Sequence, residues 1–345
     1  MDGFGSRRAR SNPTAFIDGS WAGFAAGRSI DYRRWSMDSQ RIDGRHAAFL
    51  IAAAGCWGVA TVISKRAIAE IPPLPLLTIQ LTASAIVLFS VVRMRGGVDW
   101  TPRLKRLATL GVLNPGISYA LGLAGLTMIT ASLSVVLWAT EPLVILLLAA
   151  WLLREEVTGA MMLALLAAMA GVGLVVLDAG NSGSLLGIAL SLAGVVACAV
   201  YTIAVRKWMI EEETLEAVYA QQLYALLFSI GVLAVDLVVP GGAVLGSWSA
   251  EAWVSAVASG ILYYAVAFWF YVGGLRHVPA AVAGTFLTLI PIFGIAGGYL
   301  FLGERLSGRQ GLGSLLIVLS VGALVQRHSR RLLTAQRSSI IVDSR

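Results

Sequence analysis

From Ala47 to Gln326 the chain is a succession of apolar runs parted by short breaks, and this pattern constrains the fold more than any other feature. A helix needs roughly 17–25 mostly apolar residues to cross ~30 Å of hydrocarbon. Ten runs meet that need, at about 47–64, 74–93, 107–125, 131–152, 160–177, 185–205, 217–239, 253–272, 281–302 and 310–326. The breaks carry turn chemistry: Pro72-Pro73-Leu74-Pro75, Gly96-Gly97, Asn181-Ser182-Gly183 and Pro240-Gly241-Gly242. None after residue 47 is long enough for a folded soluble domain. The expected fold is therefore an all-α integral membrane protein with ten transmembrane helices. Composition agrees: 13% of residues are charged and the mean hydropathy is +0.79, whereas soluble domains carry about 25% charged residues.

The tails differ from the rest. Residues 1–46 hold eight arginines and six glycines without a sustained apolar stretch, which reads as a basic, disordered cytoplasmic tail and not as a cleavable signal. Its scattered aromatics (Phe4, Phe16, Trp21, Phe24, Trp35) allow attachment to anionic lipid as an alternative. Residues 327–345 form a second basic tail.

Lysine and arginine set the orientation. With the N-terminus in the cytoplasm, only Lys65, Arg66, Arg305 and Arg309 of the 26 basic residues fall on the far side. Ten spans of the cytoplasmic (inner) membrane, with both termini in the cytoplasm, satisfy that asymmetry. The formal charge of +7 is thus a topology signal, and nucleic acid is excluded as a partner. Cys56 and Cys198 sit within apolar runs and read as packing residues, with no metal-type spacing.

The chain also repeats itself. Residues 124–177 align without a gap to 273–326, pairing Gly125 with Gly274, Ala131 with Ala280, Pro142 with Pro291, Glu155 with Glu304, Gly159 with Gly308 and Gly173 with Gly322. Chance matching of apolar sequence yields leucine and alanine pairs, but hardly a proline, a glutamate and three glycines in register. Span 1 matches span 6 more weakly, through Cys56/Cys198 and Lys65/Lys207. A repeat of five spans is odd in number, so the second copy enters the membrane from the opposite side: two inverted five-helix repeats, 47–177 and 185–326. Inverted repeats enclosing a midplane site are a recurring plan of secondary transporters.

At these residues the sequence resembles the EamA family of the drug/metabolite transporter superfamily. The resemblance is carried by Gly125-Leu126, Ala131-Ser132, Glu141-Pro142 and Leu153-Arg154-Glu155-Glu156-Val157-Thr158. It continues in Gly274-Leu275, Ala280, Pro291 and Leu302-Gly303-Glu304-Arg305-Leu306-Ser307, with Trp57-Gly58 and Lys65 in span 1 and Ala199-Val200-Tyr201-Thr202 in span 6. It implies the ten-span inverted fold and secondary transport of metabolites or amino acids, often outward. Two positions depart from the pattern: Arg154 stands opposite Gly303, and Gln80 stands where many relatives carry a basic residue.

Glu141 is the sharpest single feature, near the middle of span 4. A charge at that depth costs about 2.5–3.5 kcal/mol on insertion scales, so such residues face a bundle interior or a water-filled cavity. Two readings stand: a protonated acid bonded to a neighbouring helix, or a site for a substrate ammonium or a proton. Its repeat partner is Ile290, whereas Pro142 is matched by Pro291. The prolines therefore read as architectural, either as bends or as hinges that each remove a helical hydrogen bond, and Glu141 reads as specialised. Other polar or aromatic candidates for the substrate and proton pathway are Trp138, Gln80, Asn114, Tyr119, Tyr201, Tyr263, Tyr264 and Thr288. Each taken singly is more often helix–helix glue. Lys65 and Lys207 are expected to snorkel to headgroups. Glu155 and Glu304 belong to structural turns as helix caps or ion-pair partners, with Thr158 and Ser307 as N-cap candidates.

No GxxxxGK[ST] loop occurs, so the chain carries no nucleotide motor. The centre of the membrane lacks Lys and Arg, which disfavours phosphorylated substrates. The histidines His46, His277 and His328 lie at connections or tails without accompanying ligands, which disfavours a membrane enzyme, a metal site or a cofactor. A channel or non-transporting sensor is the alternative, but a channel calls for a continuous polar stripe or charged ring. The expected partners are a small-molecule substrate and the lipid bilayer, with proton coupling through Glu141 and a monomeric or homodimeric state.

Overall fold

The computed structural model describes residues 44–152, 159–177, 184–208, 214–239, 246–275 and 286–323, and all regular structure among them is helical. In order the elements are α1 (Gly44–Ala67), α2 (Pro73–Met94), α3 (Pro102–Thr109), α4 (Ser118–Met128), α5 (Ala131–Trp138), α6 (Glu141–Leu152) and α7 (Gly159–Leu177). The second half gives α8 (Leu185–Trp208), α9 (Thr214–Asp236), α10 (Ala250–Gly260), α11 (Ala267–Leu275), α12 (Ile290–Leu302) and α13 (308–323).

Among the described residues six helical segments are long and apolar enough to cross a membrane: Arg45–Ala67, Pro73–Met94, Pro102–Met128, Leu185–Ala204, Leu215–Asp236 and Ala250–Tyr271. Shorter apolar helices lie at Ala131–Ile145, Met162–Leu174 and Ile290–Leu302. Large apolar side chains such as Ile86, Leu163, Leu166 and Met169 point outward. On a soluble protein such a surface would aggregate, whereas hydrocarbon solvates it, so the chain is an integral membrane protein.

Helix starts follow from local chemistry. Thr101 accepts from the Leu104 N–H at 3.0 Å to open α3, and Ser249 accepts from the Ala252 N–H at 3.1 Å to open α10. Before α13, Ser307 accepts from the Gln310 N–H at 3.2 Å while Gln310 Oε1 accepts from the Ser307 N–H at 3.1 Å. That is a reciprocal capping box, as expected of Ser307. Thr158 and Glu155 lie outside the described residues.

Four runs expected as single regular spans are locally irregular. The third and eighth carry π turns at Leu113–Ile117 and Ile261–Val266. The repeat offset of 149 superimposes 113–117 on 262–266. The fourth breaks at Ala139–Thr140 and the ninth at Thr288–Leu289, again equivalent positions. This corrects the expectation that Pro142 and Pro291 each remove a helical hydrogen bond within a span. Each is the second residue of the helix that follows its break, α6 or α12, where the missing N–H would have had no intrahelical partner. A proline ring clashes with the carbonyl four residues back and disfavours helical geometry just before it, so the break falls immediately upstream.

Packing exchanges the halves. α1 packs on α11 and α12, and its repeat partner α8 packs on α4 and α6; α2 meets α10 as α9 meets α3. α2 and α9 meet each other. Glycines permit the closest approaches: a Cβ at Gly125 would lie 2.7 Å from the Gly187 carbonyl, and one at Gly294 would lie 2.6 Å from Val135. Small residues at such points let membrane helices pack closely.

Candidate functional site

Gln80 from α2 is nearly fully buried, and its amide donates to Ser64 Oγ of α1 at 2.9 Å and to Ser259 Oγ of α10 at 2.8 Å. A buried amide is stable only with its donors satisfied, so Gln80 ties three helices at one point. Against it lies a small cavity of about 20 Å³ lined by Thr61, Ser64, Gln80, Tyr119, Gly122, Leu123, Leu126, Trp138, Tyr263 and Tyr264. That is room for a water molecule and little more.

One wall is aromatic. Tyr119 stacks on Trp138 with centroids 5.1 Å apart and meets Tyr263 and Tyr264 edge-on, each at 5.2 Å. The indole fits because residue 122 is glycine: a Cβ there would come within 2.8 Å of Trp138 Cζ2. The π turn in the eighth run brings Tyr263 and Tyr264 together, with ring centroids 5.1 Å apart. Gln222 secures that turn by donating to the Tyr264 carbonyl at 2.7 Å, and its own Oε1 accepts from Ser84 Oγ at 2.7 Å.

Glu141 sits beside this wall as the first residue of α6, within electrostatic reach of Tyr119, Tyr263, Tyr201 and Tyr271. Its Oε1 accepts long bonds from Cys198 Sγ and Thr202 Oγ1 of α8, both at 3.4 Å. The N-terminal end of α6 favours negative charge at that position.

The structure thus gathers Gln80, Tyr119, Trp138, Tyr263 and Tyr264 around one cavity, with Glu141 adjoining. Others expected on the pathway do not line that cavity. Asn114 accepts from Ser118 Oγ inside the first π turn. Tyr201 donates to Gln221 Oε1 at 2.7 Å, and Thr288 lies in the break before α12. Sequence reasoning missed Thr61 and Ser64, because a hydroxyl in an apolar helix carries no label of the face it occupies. It also took Cys198 for a packing residue, although its thiol reaches Glu141.

Two further residues part from or extend the reading of the sequence. Lys65 does not snorkel to the headgroups. It is partly buried and donates to the Leu126 carbonyl at 2.6 Å and the Ile129 carbonyl at 2.7 Å, at the end of α4. Those carbonyls have no helical partner, and an ammonium group satisfies two of them at once. Glu304 caps a helix as expected, but one in the other half: it accepts from the Ala131 N–H at 2.7 Å, the Ser132 N–H at 2.8 Å and Ser132 Oγ at 2.6 Å.

The model of the EamA-like transporter family matches residues 45–177 and again 185–326. The chain belongs to the EamA-like transporter family. An uncharacterized transporter of Archaeoglobus fulgidus is 26% identical over 280 residues, covering 79% of this chain and 95% of the relative. An uncharacterized transporter of Clostridium kluyveri is 24% identical over 231 residues, covering 65% and 72%. A protein crystal structure matches with a TM-score of 0.55 at 18% identity over 80% of this chain and 97% of that chain, a likeness of fold alone. Both family matches coincide with the two halves of the internal repeat, so this EamA-like chain is a membrane protein of transporter type.

Proposed function

We propose that the chain is a secondary transporter carrying a small metabolite (an amino acid, an amine or a similar zwitterionic or neutral solute) outward across the cytoplasmic membrane by alternating access. Ten spans in two inverted halves, with both termini cytoplasmic, are part of this reading. The observation that carries it is the cavity itself: residues of both halves, Gln80, Tyr119 and Trp138 from one and Tyr263 and Tyr264 from the other, converge on it with Glu141 alongside. An amide, hydroxyls and ring faces suit a neutral or zwitterionic solute, and a carboxylate suits an ammonium group or a proton. Paired breaks at Ala139–Thr140 and Thr288–Leu289 supply matched joints with Pro142 and Pro291 as hinges, the arrangement that lets two halves exchange conformations around one site.

Counterflow in proteoliposomes with amino acids, amines and nucleosides tests it. One of these is expected to exchange, and Glu141→Gln is expected to lose the pH dependence of that exchange. Normal transport by Glu141→Gln at every pH would remove the coupling role of Glu141, and no counterflow of any solute by the wild type would remove the reading itself.

A further inference from the structure

Lys65 and Glu304 meet at the same place from far apart in sequence. The ammonium of Lys65, at the end of α1, holds the last carbonyls of α4, and the carboxylate of Glu304, just past α12, holds the first amides of α5. The two charges also lie within electrostatic reach of each other. They bracket the two-residue turn Ile129–Thr130, with the positive group on the carbonyl end of one helix and the negative group on the amide end of the next. Each complements the helix dipole it touches.

Local capping is not the whole purpose. Thr130 already caps α5, accepting from the Leu133 N–H at 3.1 Å. Glu304 adds a tie from the opposite half, and the fold is shaped to admit it. Gly303 takes a left-handed φ of 66° to turn the chain back over α12, and a Cβ at Gly298 would lie 2.5 Å from Glu304 Oε2. Lys65 ties α1 to the end of α4, and Glu304 ties the segment after α12 to the start of α5, which packs on α12, α8 and α1. They also sit on the cavity, because Leu126, whose carbonyl holds Lys65, lines it together with Thr61 and Ser64.

We propose that Lys65 and Glu304 form a latch that closes the pathway at the membrane face bearing the turns after α1, α4 and α12, and that opening of that face requires its release. They act as positioning residues and touch no solute. The proposal rests on alternating access as read above. Its chemistry is a set of charge-assisted hydrogen bonds, each stronger than a neutral one and cooperative through a shared turn. Opening exchanges them for water or headgroup partners without leaving a charge in hydrocarbon, since they lie at span ends.

The test reads accessibility from each side. In full-length protein with Cys56→Ala and Cys198→Ser, Thr61→Cys places a thiol in the cavity beneath the latch. A separate Ala69→Cys protein, exposed in the turn after α1, reports which face bears the latch. With a membrane-impermeant maleimide, Glu304→Gln and Lys65→Met are each expected to raise labelling of position 61 from that face by roughly tenfold, the value of one charged hydrogen bond. Ser132→Ala, which removes a single hydroxyl contact, is expected to raise it less and guards against misfolding of the charge variants. Unchanged labelling from that face in monodisperse Ser132→Ala and Glu304→Gln would overturn the latch, as would an equal rise from both faces. Absence of solute counterflow by the wild type would instead strike the transport reading, while a one-sided rise would still uphold the latch. If Ala69→Cys is labelled from the cytoplasm, only the assigned orientation fails.

Discussion

Gly122 shows how one residue shapes the site. The Trp138 indole occupies the space its side chain would take, and that indole is the surface on which Tyr119 stacks. Gly122→Ala is expected to displace the indole, cost about 1–3 kcal/mol of stability as overpacking does, and weaken solute binding. Tryptophan fluorescence of the purified variant together with the counterflow KM checks this, and an unchanged KM would show that Trp138 does not contact solute. Glu70 offers a second case at the same scale. The Ser249 N–H and hydroxyl donate to it at 2.8 and 2.7 Å and hold its carboxyl below the usual carboxylate range. A depressed folded-state value means the tie strengthens the fold above the ordinary carboxyl pKa of about 4.3 and is lost as pH falls through the lowered value. Wild type is therefore expected to melt above Glu70→Gln at pH 7, and the gap is expected to close on acidification below about pH 4.

Helices begin and break in this chain for reasons that differ in how visible they are. The cap at Ser249 is a polar residue before an apolar run, and Ser249→Ala is expected to cost about 1 kcal/mol and lower the Tm in detergent. The breaks before α6 and α12 are announced by Pro142 and Pro291. By contrast, the π turn at Ile261–Val266 contains no proline or glycine, and nothing in Ile-Leu-Tyr-Tyr-Ala-Val marks it. It is held by Gln222 from α9 and by Gly260, where a Cβ would come within 2.5 Å of the Gln80 backbone. Gly111 makes the equivalent close approach to Gln221 in the other half. These turns are set by contacts between elements, so a reading confined to one run at a time missed them.

For the molecule as a whole, the meeting of α5 with α12 joins the first half to the second. Val135 and Gly294 face each other there. The double substitution Val135→Cys with Gly294→Cys is expected to form a disulfide on oxidation and stop counterflow, and reductant is expected to restore it. Continued transport with the bridge intact would mean that this seam stays closed throughout the cycle.

The sequence by itself determined the membrane class, the positions of the apolar runs, the two-part repeat and the family, because each is written in composition, run length or residue-for-residue identity. It also singled out Glu141 and most of the aromatic wall, since charge and aromatic size are legible at membrane depth whatever the packing. Only the tertiary structure decided which side chains share a cavity, and here it chose Thr61 and Ser64 over Asn114 and Thr288. It alone sent Lys65 to the end of α4 and Glu304 to the start of α5. The physical reason is range. Hydropathy and repeat are properties of neighbouring or aligned residues, whereas these partners lie 61 and 173 residues apart and meet only where glycine-lined helices pack closely.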